Sequence, residues 1–141
     1  MLRRIKEEDI DSIIKIEEDT LNTTLGKEML EDIISNPIMN AYVYDDNGVL
    51  GYISTSFDGI TLEILNYCVA SNHQNKNIGK KLLEYAINEA VKAGGKTVFL
   101  EVRQDNKRAI HIYESFGFKL IHIRKNYYKD SCDALVYEKV L

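Results

Sequence analysis

Apolar residues recur along this chain with two periods, and each change of period marks an element. Leu2–Ile5 predicts a short first strand. Over Glu8–Glu18, Ile10, Ile13, Ile14 and Glu17 fall at helical spacing, and acidic residues crowd the start, where they complement the positive end of a helix. Thr20–Gly26 is polar and reads as a loop. Lys27–Ser35 resumes a helix through Met29, Leu30, Ile33 and Ile34, and Asn36-Pro37 stops it. Ala41–Tyr44 and Val49–Phe57 predict strands joined by a hairpin at Asp45-Asp46-Asn47-Gly48. Asp58-Gly59 marks a second turn before a third strand, Ile60–Val69, so the three read as an antiparallel meander.

The pattern then turns helical. Leu82, Leu83, Ala86, Ile87, Ala90 and Val91 define the buried face of a helix from Ile78 to Ala93, which Gly94-Gly95 ends. Thr97–Val102 predicts a strand and Lys107–Phe116 a helix closed by Gly117. Two last strands, Lys119–Asn126 and Ala134–Val140, flank a turn region at Tyr127–Asp133. The strand–helix–strand unit from Ile64 to Val102 implies a right-handed crossover and hence one parallel pair. The expectation is a mixed α/β sheet with helices on its faces. It is read as one domain over residues 1–141, without repeats or low-complexity linkers.

Composition narrows the class. A chain of 141 residues is long enough for a real core, and 45% hydrophobic with 28% charged residues is ordinary for a soluble globular protein. No apolar run approaches the ~20 residues of a membrane span. The start, Met1-Leu2-Arg3-Arg4-Ile5-Lys6-Glu7-Glu8, is charged at once and lacks a signal-peptide core, so a cytoplasmic protein without a membrane partner is expected. Cys68 and Cys132 fit no metal spacing and read as free thiols, Cys68 within an apolar strand. His73, His111 and His122 share no ligand spacing either, so no metal is expected. A net charge of −4 argues against direct nucleic-acid binding, which usually needs a basic face, and suits a cationic substrate such as an amine.

Three segments carry candidate chemistry. The first is His73-Gln74-Asn75-Lys76-Asn77-Ile78-Gly79-Lys80-Lys81, between an apolar strand and an amphipathic helix. A helix start gathers unpaired N–H groups and a positive dipole end, which suits a phosphate. Gly79 lets backbone approach a ligand without a Cβ, Asn77 tolerates left-handed φ, and the lysines add positive charge. A plain strand-to-helix loop with a solvated basic edge stays open beside that reading. The second segment is Phe99-Leu100-Glu101-Val102-Arg103-Gln104-Asp105-Asn106. Glu101 lies near the carboxyl end of an apolar strand, where ligands of open α/β sheets gather. It reads as a base, or as a surface residue or partner of Arg103. Asn106 also reads as a helix cap. In the third segment, Ile110, Tyr113 and Phe116 share a helix side, and Tyr113 is a proton donor or a core tyrosine.

Together these segments resemble the GNAT superfamily of N-acetyltransferases. Gln74-Asn75-Lys76-Asn77-Ile78-Gly79 sits where that family has Gln/Arg-x-x-Gly-x-Gly/Ala, its acetyl-CoA pyrophosphate loop, with Asn77 in place of the first glycine. Glu101-Val102-Arg103 with Asn106, then Tyr113-Glu114-Ser115-Phe116-Gly117-Phe118, then Arg124-Lys125-Asn126-Tyr127-Tyr128 with Asp133-Ala134, resemble the RimI-type branch, which acetylates the N-terminal alanine of a small-subunit ribosomal protein. The resemblance implies an α/β (α+β) GNAT fold: a mixed, mostly antiparallel sheet of about seven strands with flanking helices and a splayed central strand pair. It implies acetyl-CoA as cosubstrate, without a metal. Tyr67, Cys68 and Val69 would line the acetyl-pantetheine arm through their backbone. Gln74, Asn75, Lys76, Asn77, Ile78, Gly79 and Lys80 would hold the pyrophosphate, and Asn106 would contact the cofactor. Glu101 matches the family's base and Tyr113 its general acid. Tyr127 and Tyr128 are assigned to the acceptor peptide groove, beside the alternative of aromatic packing in a loop.

One departure lies on the acceptor side. The branch often has a Phe-Pro-Trp segment between its first two helices, whereas this chain has no Trp, its only proline is Pro37, and Thr20–Lys27 fills that region. The expected activity is acetyl transfer to the N-terminus of a ribosomal protein by a monomer or weak dimer. A GNAT enzyme for a small amine or protein lysine, and a non-catalytic acyl-CoA-binding module, stay open.

Overall fold

In the computed structural model, which describes residues 1–21, 26–74 and 76–141, strands and helices follow in the order β1 (Leu2–Arg4), α1 (Ile10–Leu21), α2 (Lys27–Ser35), β2 (Met39–Asp45), β3 (Val49–Phe57), β4 (Thr61–Val69), α3 (Ile78–Lys92), β5 (Thr97–Arg103), α4 (Lys107–Ser115), β6 (Lys119–Arg124) and β7 (Ala134–Val140). The strands form one sheet in the order β1-β2-β3-β4-β5-β7-β6. Its one parallel pair is β4 with β5; the described neighbours on either side are antiparallel. This is the mixed, mostly antiparallel sheet expected. Among the described residues no helix is long and apolar enough to cross a membrane.

Alternation along the strands divides the core between the two faces. On one, Ala41, Val43, Tyr52 and Cys68 pack against Ile10, Ile13, Ile16, Leu30 and Ile33 of α1 and α2. On the other, Ile53, Leu62, Ile64, Val98, Leu100 and Val102 pack against Leu82, Leu83, Ala86, Ile87 and Ala90 of α3. Val91, expected on that buried face, is 52% exposed, so the apolar stripe of α3 ends at Ala90. Thr20, expected to open a loop, belongs instead to α1, which continues to Leu21. Residues 22–25 lie outside the described residues. The β2–β3 hairpin turns through Asn47 (φ 55°) and Gly48 (φ 127°), with Asp45 Oδ1 accepting from the Gly48 N–H at 3.0 Å.

Two polar clusters, one half-buried and one buried, join the layers. Arg3 donates to both carboxylate oxygens of Asp9 at 2.8 and 2.9 Å and to Asp45 at 3.0 Å, tying β1, the chain ahead of α1 and the hairpin together. Glu17, fully buried on α1, accepts from the Tyr52 hydroxyl on β3 and from Asn66 Nδ2 on β4 at 2.7 Å. The sequence had placed Glu17 in an apolar stripe, and these partners are what make its burial tolerable.

The Arg3 hydrogen bonds hold the Asp9 carboxyl below its ordinary range. A depressed folded value means that this stability is present above the unfolded value of about 3.9 and is lost as pH falls through the folded one. Replacing Asp9 by Asn is expected to lower unfolding free energy by roughly 1–3 kcal/mol at pH 7. The loss should shrink in urea titrations repeated at about pH 3.

Candidate functional site

The site begins where β4 leaves β5. The two pair in parallel from Thr61–Thr97 to Ile64–Leu100, and no further. At that point β4 carries one extra residue, Leu65: Ile64 faces Thr55 on β3 and Asn66 faces Ser54. Such a bulge bends the strand and increases its twist. Beyond it β4 stays with β3, while β5 stays paired with β7 to Arg103. The sheet therefore opens between Tyr67–Val69 and Glu101–Arg103.

Ladder phase decides what faces the opening. The Ala70 N–H bonds the Leu50 carbonyl at 2.7 Å, so Ala70 and Leu50 form a hydrogen-bonded pair. Val69 opposite Gly51, and Tyr67 opposite Ile53, are then the alternate pairs whose N–H and C=O groups point away from β3, into the cleft. The Val69 carbonyl there accepts from Gln74 Nε2 at 3.2 Å.

Two cavities flank this opening and share Tyr67 and Asn106. The first, about 660 Å³, is lined by Val69, Gln74, Asn77, Gly79, Lys80 and Arg108 among others. Asn77 adopts the left-handed conformation expected of it, φ 61° and ψ 14°, immediately before α3. Gln74 is held by Arg108, whose Nη1 donates to its Oε1 at 2.9 Å and whose Nη2 donates to its backbone carbonyl. Gly79 does more than clear space for a ligand, because a Cβ there would run into the Tyr67 hydroxyl oxygen. Cys68 turns to the opposite face, and burial pushes its thiol up to about 12, so it is inert at neutral pH. The Ile78 side chain is core, which leaves only its backbone for a ligand. Lys76 is exposed and outside this lining, and Asn75 lies outside the described residues.

The second cavity, about 400 Å³, is lined by Asn66, Glu101, Arg103, Tyr113, Tyr127 and Tyr128 among others. Glu101 pairs with Arg124 Nε at 2.9 Å rather than with Arg103. Arg103 instead binds Asp130 at 2.6 Å and Asp105 at 3.2 Å, and lies over the Tyr128 ring at 4.8 Å, tying the β6–β7 loop to β5. Tyr127 and Tyr128 meet edge to face at 5.2 Å. They pack on each other and also border the cavity. Tyr113 is buried, and burial raises its phenol, keeping it protonated at neutral pH. Asn106 caps α4, its Oδ1 accepting from the Ala109 N–H at 3.2 Å. The residues that sequence reading did not single out are Asn66, Arg108 and Arg124. Arg124 had appeared only within a family motif, and its pairing with Glu101 depends on register across β7.

The Acetyltransferase (GNAT) family model matches residues 7–118, and the chain belongs to that family. Over 65 residues it is 45% identical to the ribosomal protein bS18-alanine N-acetyltransferase of Escherichia coli K12, a stretch covering 46% of this chain and 44% of that protein. Thus the aligned stretch spans less than half the length of that relative. The enzyme of the same name from Haemophilus ducreyi is 32% identical over 130 residues, covering 91% of this chain and 88% of that protein. The solved structure of the ribosomal-protein-S18-alanine N-acetyltransferase from Escherichia coli superimposes with a TM-score of 0.91 at 25% identity, over 99% of this chain and 92% of that one.

Left-handed backbone at Asn77 sets the stereochemical demand of the loop. Asn77→Gly is expected to leave folding and ligand affinity intact or improved. Asn77→Val is expected to cost roughly 1–2 kcal/mol, read as a lower denaturation midpoint and weaker coenzyme A binding by calorimetry.

Proposed function

We propose that this GNAT-family chain transfers the acetyl group of acetyl-CoA directly to the N-terminal α-amine of a protein, with an alanine-starting ribosomal protein as the acceptor. The observation that carries the reading is the pair of cavities meeting at Tyr67 and Asn106 across the opening between β4 and β5. The residues present fit the cosubstrate. The backbone N–H and C=O groups of Tyr67, which point away from β3, suit an extended amide-bearing arm, as an added strand would. The first turn of α3, beginning after a left-handed Asn77 and carrying Lys80, suits a pyrophosphate. Gln74, Gly79 and Asn106 belong to the same lining.

Acetyl-CoA supplies a thioester carbonyl already activated toward amines. The chain's residues do the rest. Backbone N–H groups of the open edge, that of Val69 among them, polarise the carbonyl oxygen. Glu101, negatively charged at the second cavity, draws in the ammonium form of the acceptor and takes its proton through a water. As the new C–N bond forms and the C–S bond breaks, Tyr113 donates its hydroxyl proton to the leaving sulfur, and the second proton shed by the acylated nitrogen restores the phenol through water. Tyr127 and Tyr128 border the path of the acceptor chain.

Magnitudes favour an α-amine. With a pKa of about 7.7–8.0, roughly a tenth to a sixth of an α-amine is neutral at pH 7, against about one in 2,500 for a lysine near 10.4. That gap of about 300-fold is worth roughly 3 kcal/mol. Glu101, exposed and paired with Arg124, suits the acceptor that gives up its proton easily. The bS18-alanine activity in the names of the relatives supports the same acceptor class.

Two outcomes are expected. In a thiol-release assay with acetyl-CoA, an alanine-starting ribosomal peptide should turn over well above polyamines and lysine-containing peptides with blocked N-termini. Preference for a polyamine or lysine would overturn the acceptor, and no turnover with any acceptor would leave a binding module. Tyr113→Phe should lower kcat by about 10²-fold or more with coenzyme A affinity unchanged; equal losses in both would remove it as the proton donor.

A further inference from the structure

The Tyr67 side chain is the feature that the proposed chemistry leaves unused. Its backbone belongs to the open edge of β4, but its phenol reaches between the first turn of α3 and α4. The ring lies 6.0 Å from that of Tyr113, and the hydroxyl oxygen lies so near Gly79 that a Cβ there would clash with it. That oxygen is buried and has no hydrogen-bond partner. Burial raises the phenol, so its proton stays on at neutral pH and it remains a donor. An unpaired buried hydroxyl is costly, and one in a native structure calls for an explanation. A phenylalanine would fill the same space without the cost.

We propose that the Tyr67 hydroxyl is a binding group for the amide-bearing arm of the cosubstrate, donating a hydrogen bond to an amide carbonyl of that arm. The inference rests on the acetyl-CoA reading above. Three placements point to the arm rather than to the nucleotide or the acceptor. Tyr67 borders both cavities, so its ring stands at the passage any arm crossing from one to the other must use. Its own backbone N–H and C=O point away from β3 into the opening, where an extended amide chain would pair with them. Its oxygen sits against Gly79 at the start of α3, in the first cavity's lining, whereas Glu101 lines only the second. Tyr67 is therefore a binding and positioning residue, and Tyr113 is the donor to sulfur.

The test is calorimetric titration of coenzyme A into wild-type protein and the Tyr67→Phe variant. Titration with 3′-phosphorylated ADP, which lacks the arm, runs beside it. The expected result is 5- to 20-fold weaker coenzyme A binding by the variant. Affinity for the nucleotide should not change, and the thermal midpoint of the ligand-free variant should be equal or higher, because an unsatisfied hydroxyl has been removed. In turnover, KM for acetyl-CoA should rise with kcat nearly constant, the reverse of Tyr113→Phe. Equal coenzyme A affinity in the two proteins would overturn the proposal, as would an equal loss for the nucleotide alone, which would place the hydroxyl at the phosphates. A fall in kcat at constant KM would make Tyr67 part of the chemistry instead. If wild-type protein binds no coenzyme A, the acetyl-CoA reading fails, and this inference fails with it.

Discussion

One extra residue in β4 sets the architecture of the site. Without Leu65 out of step, the parallel pairing that runs from Thr61 to Ile64 would continue, and Tyr67 and Val69 would spend their N–H and C=O groups on β5. With the bulge, β4 follows β3 and β5 follows β7, and the sheet opens at its centre while each half stays paired. An open edge inside a sheet is unfavourable, since each backbone group left without a partner away from water costs on the order of 1–3 kcal/mol. The cost is tolerable because the flanking strands are held by full cores on both faces and because the groups involved are few. What results is an open backbone edge inside the sheet, of the kind with which a strand-like ligand can pair.

Polar groups are distributed around this opening by function. Below it, Glu17 is fully buried and bonded to Tyr52 and Asn66, so α1 is fastened to the two strands that form one wall. At the second cavity, Arg103 gathers Asp105, Asp130 and Tyr128, while Arg124 holds Glu101. These ion pairs are exposed and each is worth little as stability. Their value is positional: they fix a loop with two left-handed residues, Asn126 and Ser131, beside the carboxylate and the buried phenol.

Much of this was legible from periodicity alone. Lys27–Ser35, Val49–Phe57 and Ala134–Val140 have the bounds that apolar spacing and turn residues predict. The left-handed state of Asn77 follows from its place before a helix and from the tolerance of asparagine for that region. The bulge was not legible, because Ile64-Leu65-Asn66 reads as uninterrupted strand and nothing local distinguishes the residue that falls out of register. Glu17 carried a usable signal, a carboxylate at apolar spacing, but its partners are 35 and 49 residues away. Glu101 and Arg124 likewise meet only through the register of three strands. Local chemistry is readable from local sequence, whereas pairings across the sheet await the fold.

The loop ahead of α3 shows why its two small positions are not equivalent. The first needs a backbone angle. Asparagine supplies φ 61° nearly as well as glycine, so substitution there keeps the turn. The second needs volume. At Gly79 the angle is ordinary for a helix, yet any Cβ would meet the Tyr67 hydroxyl oxygen. Even alanine, which the family pattern admits at this place, would require the Tyr67 hydroxyl to shift from its place between α3 and Tyr113. The choice of tyrosine on β4 therefore favours glycine on α3. A strand residue and a helix residue twelve positions apart have become one constraint, because the ring lies in the passage that the opened sheet leaves between its two cavities.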